Sequence, residues 1–274
     1  MRTYECFEIS VSDGIAHLQL ARPKQANSLT QSFWVEFPEA LEKLNRTGQV
    51  KAMVISAQGK VFCGGLDLNM FSSAKAFHAV KPVEREAMQA TVEQMQYAIT
   101  VLEKVRFPVI AAIQGVCLGA GFDLITACDI CFATENAEFR IEETNVGMMA
   151  DLGILQRLQR LIPAGIARYL ALTGETLTAA EAYRLGLLTK VYLTPEQLLE
   201  HAFATAHRIA ARPPIAITGI KRSMLYSRDH GVYESLDHTV LLQSAFLNGQ
   251  DILTSIQARK SGEVAVFDHL LPLE

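Results

Sequence analysis

The sequence predicts an α/β fold that ends in a helical region. Strand and helix patterns alternate in the first half of the chain, and helix patterns dominate from about residue 152 onward. Of the 274 residues, 50% are hydrophobic, which is ample for a folded core. We expect a core over residues 1–200 and a helical C-terminal region over residues 201–274.

The first half of the chain carries the strand patterns. Residues 4–11 and 14–20 alternate apolar and polar side chains around Ser12-Asp13-Gly14, which predicts a β-hairpin. The continuous apolar run at 109–113 is typical of a buried parallel strand. Further strands are predicted at 51–57, 130–133 and 138–141, helices at 29–44, 83–105 and 119–127, and a variable loop at 70–82.

The second half shows mainly helical periodicity. Helices are predicted at 152–161, 164–172, 179–185, 196–212, 215–227, 232–247 and 251–259, with one strand at 190–193. A late block of amphipathic helices either forms a subunit interface or covers the sheet, and the pattern leaves both alternatives open.

Composition excludes several classes of protein. The net charge of −4 and a pI near 6.0 disfavour nucleic-acid binding, which depends on Lys and Arg neutralising phosphates. The five cysteines are an odd number in apolar surroundings, which indicates free thiols and a reducing compartment. The N-terminus has no targeting pattern, and the longest apolar stretch, 109–128, contains Asp123. We therefore expect a cytoplasmic protein that binds neither nucleic acid nor membrane.

Motifs for other chemistries are missing from the sequence. It contains no H-E-x-x-H, P-loop or G-x-S-x-G pattern. Gly119-Ala120-Gly121 lies between a strand and a helix, but Leu124 occupies the third glycine position of a dinucleotide fingerprint. Cys128 and Cys131 form a C-x-x-C without a second pair or a nearby histidine. No metal or cofactor is expected.

Two glycine-containing turns remain as candidates, at residues 63–67 (CGGLD) and 118–123 (LGAGFD). Glycine permits close backbone approach, and a turn that opens a helix leaves N–H groups unpaired. Two such donors at one point would form an oxyanion hole. Purely structural glycines are the alternative, and pattern alone favours them.

Several acids lie in the otherwise apolar stretch from residue 122 to 152. Asp123 is flanked by apolar residues, so burial would raise its pKa unless the carboxylate is paired. Glu142 and Glu143 are adjacent, and on a strand only one of them would face inward. Asp151 precedes a predicted helix, and pattern alone favours an N-cap there.

These segments together resemble the crotonase, or enoyl-CoA hydratase/isomerase, superfamily. The resemblance rests on KVFCGGLDL at 60–68, IQGVCLGAGFDLITACDICFAT at 113–134 and AEFRIEETNVGMMADLGILQRLQRLI at 137–162, in that order. Ala21-Arg22-Pro23 and Asn27-Ser28-Leu29 add to it, and it extends over nearly the whole chain. It implies a crotonase-like (ClpP/crotonase) spiral of ββα units.

The resemblance implies an acyl-CoA substrate, whose CoA moiety is part of the substrate and not a cofactor. It places the oxyanion hole at the backbone N–H groups of Leu66 and Ala120. It also implies CoA contacts at Lys24, Leu66, Asp67, Leu68, Lys260 and Phe267, the last two reaching a neighbouring subunit. A homotrimer or homohexamer assembled through residues 201–274 is implied in the same way.

The acids sort members within the superfamily, and the trio of Asp123, Glu143 and Asp151 resembles that of dienoyl-CoA isomerases. This resemblance implies that Asp151 removes a proton at the α carbon, Glu143 adds one at the ε carbon, and Asp123 tunes the site. An enoyl-CoA hydratase is the nearest alternative. A non-catalytic RNA-binding relative is an alternative of another class, against which the acidic balance argues.

Overall fold

A six-stranded sheet forms the framework of the protein. The computed structural model describes residues 3–70 and 80–274. The sheet has the order β1-β2-β3-β4-β6-β9, and only the β1–β2 pair is antiparallel. Its strands are β1 Phe7–Ser12, β2 Ile15–Leu20, β3 Ala52–Ala57, β4 Val109–Ile113, β6 Ile130–Thr134 and β9 Lys190–Tyr192.

Three short strands form a second sheet, and in sequence two of them directly follow strands of the first sheet. The second sheet has the order β5-β7-β8, formed by β5 Val116–Leu118, β7 Glu138–Arg140 and β8 Leu177–Thr178. The chain alternates between the sheets, since β4 is followed by β5 and β6 by β7. Sequence analysis missed β5 and β8, because strands of three and two residues are too short to show a period.

Ten helices of the described ranges surround or follow these strands. They are α1 Phe33–Thr47, α2 Pro82–Lys104, α3 Ala120–Thr126, α4 Ile154–Leu161, α5 Ala164–Thr173, α6 Ala179–Leu185, α7 Pro195–Ala210, α8 Pro214–Asp229, α9 Val232–Phe246 and α10 Gly249–Ser261. The predicted elements are present, with ends shifted by a few residues. Residues 71–79 of the predicted variable loop lie outside the described residues.

The hairpin and the central strands form for the reasons that the sequence indicated. Asp13 and Gly14 both have positive φ, 52° and 76°, as the two-residue turn of a twisted hairpin requires. Every residue of β3 and β4 is buried, which is why their apolar runs do not alternate. The hairpin and buried-strand predictions are confirmed.

The sheet has a separate apolar layer on the side of α7. Leu198, Ala202 and Ala206 of this helix pack on residues such as Val54 and Ile110 of the central strands. The predicted boundary between residues 200 and 201 therefore falls inside a helix that belongs to the packed core.

The C-terminal helices are fastened to the core by a buried lysine. The Lys221 ammonium on α8 donates to the carbonyls of Leu102 and Phe107, at 2.7 and 3.0 Å, and to the Asp129 carboxylate at 2.7 Å. The chain after α10 runs back to α1, where the Leu273 N–H donates to the Arg46 carbonyl at 2.8 Å. These contacts attach both ends of the helical region to the sheet domain.

Candidate active site

The two glycine turns lie against each other. Cys63 and Cys117 form a parallel bridge, and the Leu118 N–H donates to the Cys63 carbonyl at 2.9 Å. A Cβ placed on Gly65 would stand 3.1 Å from the Leu118 oxygen and 3.8 Å from the Ala120 nitrogen. Gly65 has φ +89°, so this close approach requires glycine on two grounds. The fold thus brings the two candidate donors together.

In this arrangement the backbone N–H groups of Leu66 and Ala120 have no backbone hydrogen-bond acceptor among the described residues. On either side of Leu66, the Gly65 carbonyl accepts from the Leu29 N–H and the Asp67 N–H donates to the Leu29 carbonyl, at 2.9 and 3.0 Å. Ala120 is the first residue of α3. Within the described ranges neither the Leu66 nor the Ala120 N–H donates to a backbone carbonyl. Donors of this kind, in two turns that lie against each other, suit an oxyanion.

Asp123 is completely buried one turn into α3. Its Oδ1 accepts from the Ile154 N–H at 2.6 Å, and its Oδ2 has no partner among the described residues. Burial raises the pKa of this carboxyl well above its usual value, and the nearby Glu143 carboxyl raises it further. Asp123 therefore favours the neutral, protonated form.

Glu143 is the inward-facing member of the adjacent glutamate pair. It is 8% exposed, and its Oε2 is buried without a partner among the described residues. A Cβ on Gly119 would lie 3.0 Å from Glu143 Oε1, so the carboxyl touches the second glycine turn. Burial raises the pKa of Glu143, and the Asp151 charge adds to that shift. Glu142 instead forms an ion pair with Arg140 at 2.6 Å.

Asp151 is half-buried and does not cap a helix. Helix α4 begins at Ile154, and the residue before it is Gly153 with φ +117°. Burial raises the pKa of the Asp151 carboxyl. The N-cap interpretation that pattern alone favoured is wrong, because Asp123, distant in sequence, accepts the first N–H of α4. The Asp151 side chain is thereby left for another purpose.

The three acids act on one another electrostatically. The charges of Glu143 and Asp151 both raise the pKa of Asp123, and Asp151 also raises that of Glu143. Such mutual effects require short separations in a medium with little water. Ionisation of any one of these neighbouring carboxyls therefore makes ionisation of the others less favourable.

The predicted CoA-binding residues fall into two groups. Lys24 and Leu68 are exposed near the first glycine turn, whereas the buried Asp67 carboxylate forms an ion pair with Arg22 at 3.1 Å. Burial opposes ionisation of Asp67, but hydrogen bonds from the Asn69 N–H, Arg22 and Ser28 lower its pKa overall. This carboxylate is engaged within the protein.

The second group lies in the C-terminal region. Lys260 is exposed on α10, and Phe267 is buried in the chain that follows it. Phe267 lines a cavity of about 500 Å³ together with Arg208, Arg212 and Arg259. Asp123, Glu143 and Asp151 do not line this cavity. Within one chain, therefore, the cavity that Phe267 lines is separate from the three acids.

Sequence analysis missed the residues that surround the Asp151 loop. Arg157 is 9% exposed and pairs with Glu103 at 2.8 Å, and its charge lowers the pKa of Asp123. Gln96 donates to the Asp151 carbonyl at 2.6 Å. An arginine in an amphipathic helix suggests a surface position, and its partner is 54 residues away, so no local signal was available.

The described ranges contain no helix that is long and apolar enough to cross a bilayer.

The cysteines of the C-x-x-C are free, and burial raises the pKa of the Cys131 thiol to about 12. Burial also raises the pKa of Cys128 well above its usual value. Both shifts disfavour the thiolate, which is the reactive form of cysteine.

Comparison with known proteins finds similarity to enzymes that act on enoyl-CoA and dienoyl-CoA thioesters. The family model described as enoyl-CoA hydratase/isomerase matches residues 10–262. A peroxisomal Delta(3,5)-Delta(2,4)-dienoyl-CoA isomerase of Arabidopsis thaliana is 37% identical over 94% of this chain and 95% of its own length. The mitochondrial enzyme of that name from Rattus norvegicus is 38% identical over 93% of this chain and 79% of its own.

Relatives with other names are more distant. The (E)-benzylidenesuccinyl-CoA hydratase of Thauera aromatica is 31% identical over 96% of both chains. A crystal structure of an enoyl-CoA hydratase from Bacillus anthracis superposes with a TM-score of 0.87 at 27% identity, covering 96% of this chain and 99% of that one.

Proposed function

The chain belongs to the enoyl-CoA hydratase/isomerase family, and we propose that it converts 3,5-dienoyl-CoA thioesters into 2,4-dienoyl-CoA thioesters. The observation that carries this proposal is the third acid. Asp151 stands half-buried and unused by the helix behind it, within electrostatic reach of Asp123 and Glu143. Relatives named for this isomerisation are also more similar to the chain than those named hydratases.

The first step is removal of a proton from the α carbon. The thioester oxygen accepts hydrogen bonds from the Leu66 and Ala120 N–H groups, so the negative charge that develops there is stabilised. Asp151 is the base, since its raised pKa makes it a stronger base than an ordinary aspartate. The electron pair of the broken C–H bond forms a double bond between the thioester carbon and the α carbon, and the carbonyl π pair moves onto the thioester oxygen.

The second step is addition of a proton at the ε carbon. The charge on the oxygen re-forms the thioester carbonyl, and the double bond at the α carbon moves to the 2,3 position. The 3,4 double bond moves to the 4,5 position, and the electron pair of the 5,6 double bond takes a proton from Glu143. Burial and the Asp151 charge keep Glu143 protonated more readily than an exposed glutamate. One proton is taken up by Asp151 and one is released by Glu143, so exchange with solvent restores both acids without any cofactor.

Asp123 supports both steps without meeting the substrate carbon chain. It is neutral because it is buried, and its Oδ1 fixes the first N–H of α4 at 2.6 Å. A second negative charge at this position would raise the proton affinities of its neighbours further. Asp123 therefore keeps Asp151 able to ionise and keeps the loop before α4 in place.

The CoA moiety runs past the first glycine turn in this proposal. Leu68 is 76% exposed there, and the exposed Lys24 ammonium is suited to a phosphate group. Asp67 contributes through its backbone, because Arg22 and Ser28 occupy its carboxylate. Lys260 and Phe267 belong to the C-terminal region and would meet CoA only across a subunit boundary.

Assembly as a trimer or hexamer is part of the same proposal. The helices α8 to α10 expose many large apolar side chains, including Met224, Val240 and Leu241 at 70%, 67% and 69%. Exposed apolar surface of this extent is typical of an interface between protein chains. The cytoplasmic location stays a prediction, and the Arabidopsis and rat relatives carry peroxisomal and mitochondrial names.

The direct test is a substrate assay on the purified protein. We expect a 3,5-dienoyl-CoA to be converted with a rise in the ultraviolet absorbance of the 2,4-dienoyl product. A 2-enoyl-CoA of the same chain length serves as the comparison, and its hydration should be slower. Rapid hydration with no isomerisation would reject the proposal in favour of the hydratase.

A further inference from the structure

Two carbonyls beside the proposed base are held by side chains from other parts of the chain. Gln96 Nε2 on α2 donates to the Asp151 carbonyl at 2.6 Å. Arg157 Nη1 on α4 donates to the next carbonyl, that of Leu152, at 3.2 Å. The segment that carries the Asp151 side chain is thus held at two successive carbonyls by side chains from two different helices.

Glycine at position 153 makes room for this arrangement. Gly153 has φ +117°, and a Cβ placed there would lie 1.9 Å from Arg157 Nη1. No side chain fits between the loop and the guanidinium. The guanidinium therefore lies directly against the turn that connects Asp151 to α4.

Arg157 is itself held in one position. Its Nε donates to Glu103 Oε1 at 2.8 Å, and its Nη2 donates to Thr100 Oγ1 at 3.0 Å. Arg228 Nη1 donates to the same Glu103 oxygen at 2.5 Å. A guanidinium that is 9% exposed needs such partners, because an unpaired buried charge is costly. The fork geometry leaves Arg157 little freedom to move.

The partners on α2 share one face of that helix. Gln96, Thr100 and Glu103 are spaced four and three residues apart, which aligns them along a single stripe. All three reach the segment 151–157, Gln96 directly and the other two through Arg157. We call these three residues together with Arg157 the α2 clamp.

We infer that Gln96 and Arg157 are positioning residues that set where the Asp151 carboxylate stands for proton removal. The inference rests on the proposed function, in which Asp151 is the base. Neither residue needs to touch the substrate, since each acts through a backbone carbonyl next to Asp151. Misplacement of a catalytic group by about 1 Å is enough to cost on the order of 100-fold in rate.

The test compares matched variants on the same helix. Gln96→Ala removes the bond to the Asp151 carbonyl, and Gln94→Ala removes an exposed glutamine that has no partner among the described residues. Arg157→Lys keeps the charge and loses the fork. We expect kcat to fall about 10-fold in Gln96→Ala and about 100-fold in Arg157→Lys, with KM within about twofold of wild type. Gln94→Ala should match wild type.

A purely structural role predicts a different result. It would lower the melting temperature of Gln96→Ala and leave kcat at the wild-type value, and that outcome overturns the inference. Where Arg157→Lys fails to fold, Gln96→Ala and Glu103→Gln decide in its place, with the same loss of kcat at constant KM expected. Unchanged kcat in both would also overturn it.

A second readout separates this inference from the proposed function. Wild-type protein that does not isomerise the substrate refutes the proposed function. Amide hydrogen exchange across residues 151–154 then decides on the clamp, because the held carbonyls restrain this segment with or without substrate. Faster exchange in Gln96→Ala than in Gln94→Ala supports the clamp, and equal exchange overturns it.

Discussion

The core and the C-terminal helices depart from ordinary burial in opposite directions. In the core, Asp123 and Glu143 are 0% and 8% exposed among apolar residues. On α8 to α10, Met224, Val240 and Leu241 are 70%, 67% and 69% exposed. Both arrangements cost free energy in an isolated chain, since carboxylates favour water and apolar groups avoid it. The proposed chemistry would account for the first arrangement, and the proposed association with another chain would account for the second.

Removal of the proposed base should give the largest effect. In Asp151→Asn, we expect kcat to fall about 1,000-fold, because a general base typically contributes 10²- to 10⁴-fold. Folding should not suffer, since burial already disfavours the charge that is removed. Steady-state kinetics and a melting curve check both points. Glu142→Gln is the matched control, and activity retained in Asp151→Asn would remove Asp151 from the mechanism.

Isotope exchange should distinguish the role of Glu143 as the acid from that of Asp151 as the base. In Glu143→Gln, we expect isomerisation to fall about 100-fold while the α protons of a 3,5-dienoyl-CoA still exchange with D₂O. Asp151 remains able to remove those protons, and only the delivery at the ε carbon is lost. Mass spectrometry of recovered substrate measures the exchange. Equal loss of exchange and isomerisation would mean that Glu143 is needed for the first step.

The sequence was sufficient for those parts of the core that depend on local pattern. The hairpin turn at Asp13-Gly14 and the buried strand β4 follow from residue type and periodicity alone. The cap of α4 could not be predicted, because Asp123 is 31 residues away from the N–H that it accepts. Local pattern assigned that cap to Asp151, and only tertiary structure frees the Asp151 carboxylate.

The candidate site shows the same division between local and distant information. The two glycine turns were recognisable as turns, but only their bridge at Cys63 and Cys117 brings Gly65 close to Ala120. Family resemblance supplied the pairing that spacing left open. Neither local pattern nor family resemblance identified Arg157, because its role depends on Glu103, which lies in a different helix.

A charge on the exposed apolar face of the C-terminal helices should prevent association. Leu241 is 69% exposed, so Leu241→Lys should change the stability of a lone subunit by less than about 0.5 kcal/mol. At an apolar interface the same lysine would be desolvated, and we expect the protein to sediment as a monomer. Val11→Lys, at a position 48% exposed on the edge strand β1, is the control and should keep the wild-type mass. Identical masses for all three proteins would assign this apolar surface to another role.

The smallest effect should be a pH dependence of stability that comes from the buried acids. Burial raises the pKa of Asp151 in the folded protein above 3.8, so the unfolded chain ionises first as pH rises. This group therefore favours folding most below pH 3.8, and the advantage is lost as pH rises through its folded pKa. Asp151→Asn cannot ionise and lacks this loss. We expect its melting temperature relative to wild type to be higher at pH 7 than at pH 4. A difference that does not change with pH would mean that Asp151 is solvated like an ordinary aspartate, and its carboxylate would then not be a strengthened base.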